Sequence, residues 1–217
     1  SLTRYASDNQ GIYHANGVTD GKINLTEITW KVPYIKPETI KLVKLRDIIE
    51  SKQSIPVAFP ARTSDVISVP QTQNFIWRVN VTSGIEKPRW IIVAFQTSRT
   101  LTQEQNPAVF DHLDITNAYV TLNSEKYPLY DFVTNFGRND YSELYEKFDD
   151  FKKEYHGFNS LVGGTQVNYP AFKSLFPIIV FDVRRQGEKL HSGVIDMQLK
   201  FTFVNAVPAN TSAYALV

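Results

Sequence analysis

Cysteine is absent from the 217 residues, which removes disulfide frameworks, thiolate zinc sites, iron–sulfur ligation and cysteine nucleophiles together. An excess of charge is absent too. The 23 Lys and Arg stand against 22 Asp and Glu, a net of +1, so no bulk field draws the chain onto a polyanion or an anionic membrane. No run approaches the ~18–20 consecutive apolar residues that span a bilayer. The start, Ser1-Leu2-Thr3-Arg4, lacks the charged-then-apolar layout of a secretory leader. The expectation is a soluble chain, whole or a fragment, that is neither inserted in a membrane nor secreted. Apolar residues at 42% and charged residues at 21% exclude the disordered and collagenous classes.

The signatures of common chemistries are missing as well. Neither G-x-x-x-x-G-K nor G-x-G-x-x-G occurs, so no loop has the glycine spacing that lets backbone N–H groups close on a phosphate. The G-x-S-x-G elbow and the H-E-x-x-H zinc motif are also absent. His14, His112, His156 and His191 lie in separate segments, so only the fold could gather them round a metal. Asp111-His112-Leu113-Asp114 offers oxygens for Ca²⁺, but a hard cation collects six or more, and a polar turn is the preferred reading. Asp149-Asp150 and Glu143/Glu146 qualify by residue type as the paired carboxylates of a glycosidase, yet they are interleaved with Lys147, Lys152 and Lys153 as on a solvated helix face. No catalytic, cofactor-binding or metal-ligating residue is assigned, and no cofactor is expected.

Aromatics are plentiful, with 14 Phe, 11 Tyr and 3 Trp, and most fall in short apolar runs between turn-forming residues, as strands do. In residues 194–204, Ile195, Met197, Leu199, Phe201 and Phe203 share one parity while Asp196, Gln198, Lys200 and Thr202 share the other: a half-buried antiparallel strand. Phe75, Trp77, Val79 and Val81 repeat the pattern. Residues 23–32 alternate too, with a change of parity that predicts a bulge near Thr26-Glu27. Continuous apolar runs at 90–95 and 177–181 suit strands covered on both faces, and shorter strands are expected at 57–59, 118–122 and 213–217.

Two segments change to the helical period. Tyr141, Leu144, Tyr145, Phe148, Phe151 and Tyr155 form one stripe of a helix over 140–156, with Asp140 and Glu143 spaced as a capping box and Gly157 placed to end it. A second helix, 38–51, follows Pro37 and should bury Ile40, Val43, Ile48 and Ile49. Many short strands with two helices in long connections predict a mainly β fold, an antiparallel sandwich. Val162-Gly163-Gly164-Thr165 is too short a linker to divide it, so a single domain over 1–217 is expected. Charge is mildly polarised, with residues 36–52 at +2 and 138–154 at −2. Asn24, Asn80 and Asn210 stand in N-glycosylation patterns, which carry little without a leader.

The order of particular residues adds a resemblance. Trp30-Lys31-Val32-Pro33-Tyr34 comes before a Leu/Ile-rich helix, and Glu86-Lys87-Pro88-Arg89 leads into the 90–95 strand and Gln96-Thr97. Phe110-Asp111, Leu122-Asn123-Ser124, Tyr127-Pro128, the helix ending at Gly157, the 177–182 strand and Pro208-Ala209-Asn210-Thr211 before Ala213-Tyr214 follow in order. This series resembles the C-terminal half of the double jelly-roll major capsid proteins of polinton-like and adintovirus-like DNA viruses and related endogenous elements. Around Phe59-Pro60-Ala61-Arg62 it lacks the Trp-containing segment of those proteins. The resemblance implies a jelly-roll domain that is one half of a double jelly roll, without an active site. It also implies self-association as a trimeric capsomer, with a second jelly roll and neighbouring capsomers, in a virion shell made inside the host cell. Contact with genome DNA is left open. The alternative is a carbohydrate-binding or adhesion sandwich, which an exposed row of Tyr or Trp on a sheet would favour. An enzyme would need a pocket where two or more of Asp111, His112, Asp182 and Arg184 converge.

Overall fold

The computed structural model of the chain describes residues 7–54, 61–79, 88–157, 167–185 and 195–217. They fall into two compact units, one of residues 1–22 with 62–217 and one of residues 23–61. The described residues of the first unit form a β-sandwich of eight strands: β1 (Ser64–Ser68), β2 (Asn74–Val79), β3 (Trp90–Thr97), β4 (Ile115–Leu122), β5 (Glu125–Tyr127), β6 (Ile179–Asp182), β7 (Met197–Phe203) and β8 (Thr211–Leu216). They pair in the orders β1-β8-β3-β6 and β2-β7-β4-β5, antiparallel throughout. The chain thus passes back and forth between two four-stranded sheets, the wiring of a jelly roll.

The alternating patterns decide which faces meet. On β7, Met197, Leu199, Phe201 and Phe203 are buried, and on β2, Phe75, Trp77 and Val79 are buried while Ile76 faces out. Phe95 of β3 crosses the gap between the sheets, meeting the rings of Phe201 and Phe203 edge-on at 5.1 and 5.8 Å. The continuous apolar run expected to be covered on both faces over 90–95 is so covered only from Val93 onward, while Trp90 and Ile92 are half-buried, and the β3–β4 connection lies over the strand's outer side at Gln96. There the Gln96 Nε2 donates to the carbonyls of Pro107 and Val109. The anticipated 118–122 strand begins earlier, at Ile115, where the register with β7 shifts between Ile115 and Asn117.

Helix α2 (Ser142–His156) packs against β6 and ends on Gly157 with φ of 68°, a left-handed turn that glycine adopts without strain. Its start corrects the capping-box expectation. Tyr141 is the cap residue and makes no side-chain cap bond, because Asp140 is held one residue outside the helix by backbone bonds in both directions to Asn135. A third helix, α3 (Tyr169–Leu175), is capped by the Asn168 carboxamide oxygen, which accepts from the Ala171 N–H at 2.8 Å.

In the second unit, residues 23–38 form no strand, which overturns the strand and bulge expected at 23–32. An alternating pattern makes a strand only where a partner pairs with it, and none of the described strands does. Helix α1 (Thr39–Glu50) forms near the expected 38–51, but ahead of β1 rather than between described strands. It buries nothing: Ile40, Val43, Ile48 and Ile49 are 72, 53, 37 and 61% exposed, against the burial expected for them. The expected strand at 57–59 and residues Val81, Val162 to Thr165 and Val194 lie outside the described residues.

Candidate functional site

The β3–β4 connection, a 3₁₀ turn over Phe136–Arg138 and the N-terminal ends of α2 and α3 surround a cleft of about 690 Å³ in the sandwich unit. Thr97, Phe110, Asp111, His112, Leu113, Asn139, Tyr141, Tyr169 and Lys173 are among its walls. The wall is built on a ladder of flat rings. His112 lies on Phe136 at 4.4 Å, Phe136 on Tyr141 at 5.0 Å, and Tyr141 on Tyr169 at 4.1 Å, each pair within 9° of parallel.

Hydrogen bonds lock the ladder. The Tyr141 hydroxyl donates to the Tyr169 carbonyl at 3.1 Å, and the Tyr169 hydroxyl donates to the Asn139 carbonyl at 2.8 Å while accepting from the Tyr141 N–H. Burial, with the Tyr169 phenol beside it, raises the Tyr141 pKa, so the ring keeps its proton. The Lys173 ammonium donates to the Phe136 carbonyl and the Asn139 side-chain oxygen, closing the 3₁₀ turn at its C-terminal end.

Two of the residues that would mark an enzyme, Asp111 and His112, do meet in this cleft, and their contacts say what they do. The Asp111 carboxylate accepts from the Thr97 N–H at 2.8 Å and from the Arg99 guanidinium at 2.6 Å, so it fastens the strand end to the following loop. His112 Nδ1 accepts from the Asp114 N–H at 3.0 Å, and Leu113 and Asp114 both have positive φ, which makes 111–114 the polar turn preferred from the sequence. Asp182 and Arg184 lie elsewhere: they bond each other, Arg184 also pairs with Glu154, and its guanidinium covers the Trp90 ring at 4.3 Å. Among the described residues no group of three or more His, Asp or Glu is placed to hold a metal ion. His14 pairs with Asp20, His156 ends α2, and His191 is outside the described residues. The glycosidase-type acids, Asp149-Asp150 and Glu143/Glu146, all lie on α2, and Asp149 pairs with Lys153 one turn along it.

His112 gives a pH test. Burial lowers its pKa from 6.5, with Asp114 opposing, Lys173 reinforcing and Asp111 opposing. The unfolded chain therefore takes up this proton at higher pH than the folded chain, and the histidine's contribution to stability is lost as pH falls below 6.5 toward the folded value. His14 shifts the other way, held up by the Ala15 carbonyl and Asp20. The expected result is that His112→Phe, which keeps a flat ring against Phe136, shows a shallower fall in urea-unfolding free energy between pH 7 and 5 than the parent chain.

Pattern reading from the sequence missed Tyr169 and Lys173, because α3 is too short for a helical period. The Asn168 cap followed by Pro170 near the helix start was the available signal. The exposed tyrosines and tryptophan, Tyr13, Trp30, Tyr34, Tyr130 and Tyr155, all lie outside the strands, so the described sheets carry no exposed aromatic row. Of the glycosylation-pattern asparagines, Asn24 and Asn210 are exposed and Asn80 is outside the described residues.

No curated protein and no solved structure matches the chain. A family model does, over residues 1–217, and its description, a double jelly roll-like domain, agrees with the eight-strand wiring derived above. The chain belongs to the double jelly roll-like domain family.

Proposed function

We propose that this protein is a structural building block of a viral capsid, of the kind encoded by polinton-like and adintovirus-like elements, and that it works by self-association rather than by catalysis. The observation that carries the reading is the 1-8-3-6 and 2-7-4-5 jelly roll in a chain of the double jelly roll-like family. Repeated copies suit such a sandwich, since each contact can be modest while symmetry multiplies it into a stable shell. The near-neutral charge of +1 limits repulsion between copies packed side by side. In this reading the cleft is a brace: its titratable walls are bonded to the protein's own backbone and ion partners, and the aromatic ladder fixes the helices on the sandwich. The block joins a second jelly roll and forms trimeric capsomers that tile the virion. The test is light scattering and electron microscopy of the native gene product, which should give trimers and larger closed assemblies. Monomers at every concentration would overturn the proposal.

A further inference from the structure

One imidazole lone pair closes the turn at the wall of the cleft. His112 Nδ1 accepts from the Asp114 N–H at 3.0 Å, and because an amide can only donate, the neutral ring carries its proton on Nε2. A second proton has one place to go, Nδ1, the atom that makes the bond. The turn it closes is a strained one: Leu113 and Asp114 have φ of 51 and 48°, the left-handed region that a leucine seldom enters.

This turn carries the chain from the first sheet to the second and is tied to both. The Asp111 N–H donates to the Phe95 carbonyl of β3, the Ile115 N–H at the start of β4 donates to the His112 carbonyl, and the Asp114 carbonyl accepts from the Val204 N–H just past β7. A change at Asp114 therefore reaches the end of β7 and the start of β4.

The surroundings offer a protonated ring a new partner. An Asp114 carboxylate oxygen lies 3.3 Å from Nδ1, so the ring that can no longer accept from the Asp114 backbone can donate to its side chain. Burial lowers the His112 pKa from 6.5, with Asp114 opposing, Lys173 of α3 reinforcing and Asp111 opposing. Asp111 is itself engaged by the Thr97 N–H and Arg99. The 3₁₀ turn presents the Phe136 ring, with Arg138 exposed at its end. The start of α2 presents Tyr141, which keeps its proton, and α3 adds Tyr169, whose hydroxyl is bonded to Asn139. The β7–β8 connection, residues 204–210, has no ionisable side chain.

We propose that His112 is a proton-operated latch: neutral, it holds the 111–114 turn closed through the Asp114 amide, and protonated, it moves its bond to the Asp114 carboxylate and releases the crossing from β3 to β4. The latch works within one chain and does not rest on self-association.

The test is a nuclear magnetic resonance titration of the full chain, labelled with ¹⁵N, from pH 7 down to the onset of unfolding. The His112 ring nitrogens and the Asp114 amide are expected to shift together with one midpoint below 6.5, and the Asp114 and Ile115 amides to lose exchange protection, relative to their intrinsic rates, through the same step. His14, held up by the Ala15 carbonyl and Asp20, titrates above 6.5 and is separated by its midpoint. His112→Phe has no acceptor and should leave the 114 amide unprotected at every pH. His112→Asn, whose side-chain oxygen can accept from the N–H two residues on without titrating, should keep it protected at every pH. Asp114→Asn, which removes the charge that favours protonation, should lower the midpoint. An Asp114 amide that stays fixed while His112 titrates, a His112 that stays neutral until the chain unfolds, or a His112→Asn chain that loses protection as the parent does would overturn the latch.

Discussion

Truncation of Phe95 to alanine is expected to destabilise the sandwich by about 3–5 kcal/mol, a large part of the ~5–15 kcal/mol that holds a typical domain folded. Phe95 is fully buried and is the ring by which β3, in one sheet, meets Phe201 and Phe203, in the other. Its neighbours on β3, Val93 and Ile91, are also fully buried and belong to paired strands, so the backbone cannot close the void cheaply. The loss combines burial of the ring, its two edge-on contacts and the cavity left behind. Urea unfolding should show a lower midpoint at unchanged slope, since the surface exposed on unfolding is nearly the same. Ile76→Ala is the matched control on β2, with a side chain 64% exposed, and should cost less than about 1 kcal/mol.

The same residues show why the sandwich could be read in advance. β7 and β2 each have one face against the core and one toward water, so burial imposed a period of two on the side chains, and that period survives in the sequence. β3 and β6 lack alternation because each is covered on both faces over part of its length, and a continuous apolar run is the corresponding sign. β1 and β5 were illegible. The first is an edge strand of five residues with only one partner, and the second has three residues, so neither has enough buried positions to leave a pattern. Residues 23–32 are the instructive failure. Their alternation is real, but a pattern states only that a face is to be covered, and none of the described strands pairs with it.

The cleft was legible only in part. Asp111 and His112 drew notice because acids and imidazoles are scarce and chemically versatile, while the groups that complete their environment are backbone atoms and residues far along the chain: Thr97, Phe136 and Lys173. Such a set is assembled by the return of the chain through α3, which no local spacing encodes. Asp140 shows the same limit at close range. Its spacing from Glu143 fits a cap, but two backbone bonds to Asn135 take it out of the helix, and Tyr141 enters the ring ladder in its place.

Phe172→Ala should produce a loss of similar size with a different distribution. Phe172 is fully buried, and its ring lies 5.4, 5.6 and 6.0 Å from those of Phe148, Tyr145 and Tyr141, so it is the apolar bolt between α3 and α2. α3 has seven residues and cannot hold a helix by its own hydrogen bonds. Without the ring, the remaining ties include the Asn168 cap, the Tyr141, Tyr145 and Tyr169 hydroxyls and the Lys173 ammonium, each worth roughly 0.5–1.5 kcal/mol, or up to about 3 where a charge is involved. The truncation costs about 3–5 kcal/mol, enough to let the helical layer open before the two sheets separate. Amide exchange is therefore expected to accelerate sharply in residues 142–156 and 169–175 of Phe172→Ala while the β7 amides slow-exchange core is retained, whereas Phe95→Ala should speed exchange throughout β3, β7 and β8. Equal loss of protection in β7 and α3 on truncating Phe172 would mean instead that helices and sheets unfold as one unit.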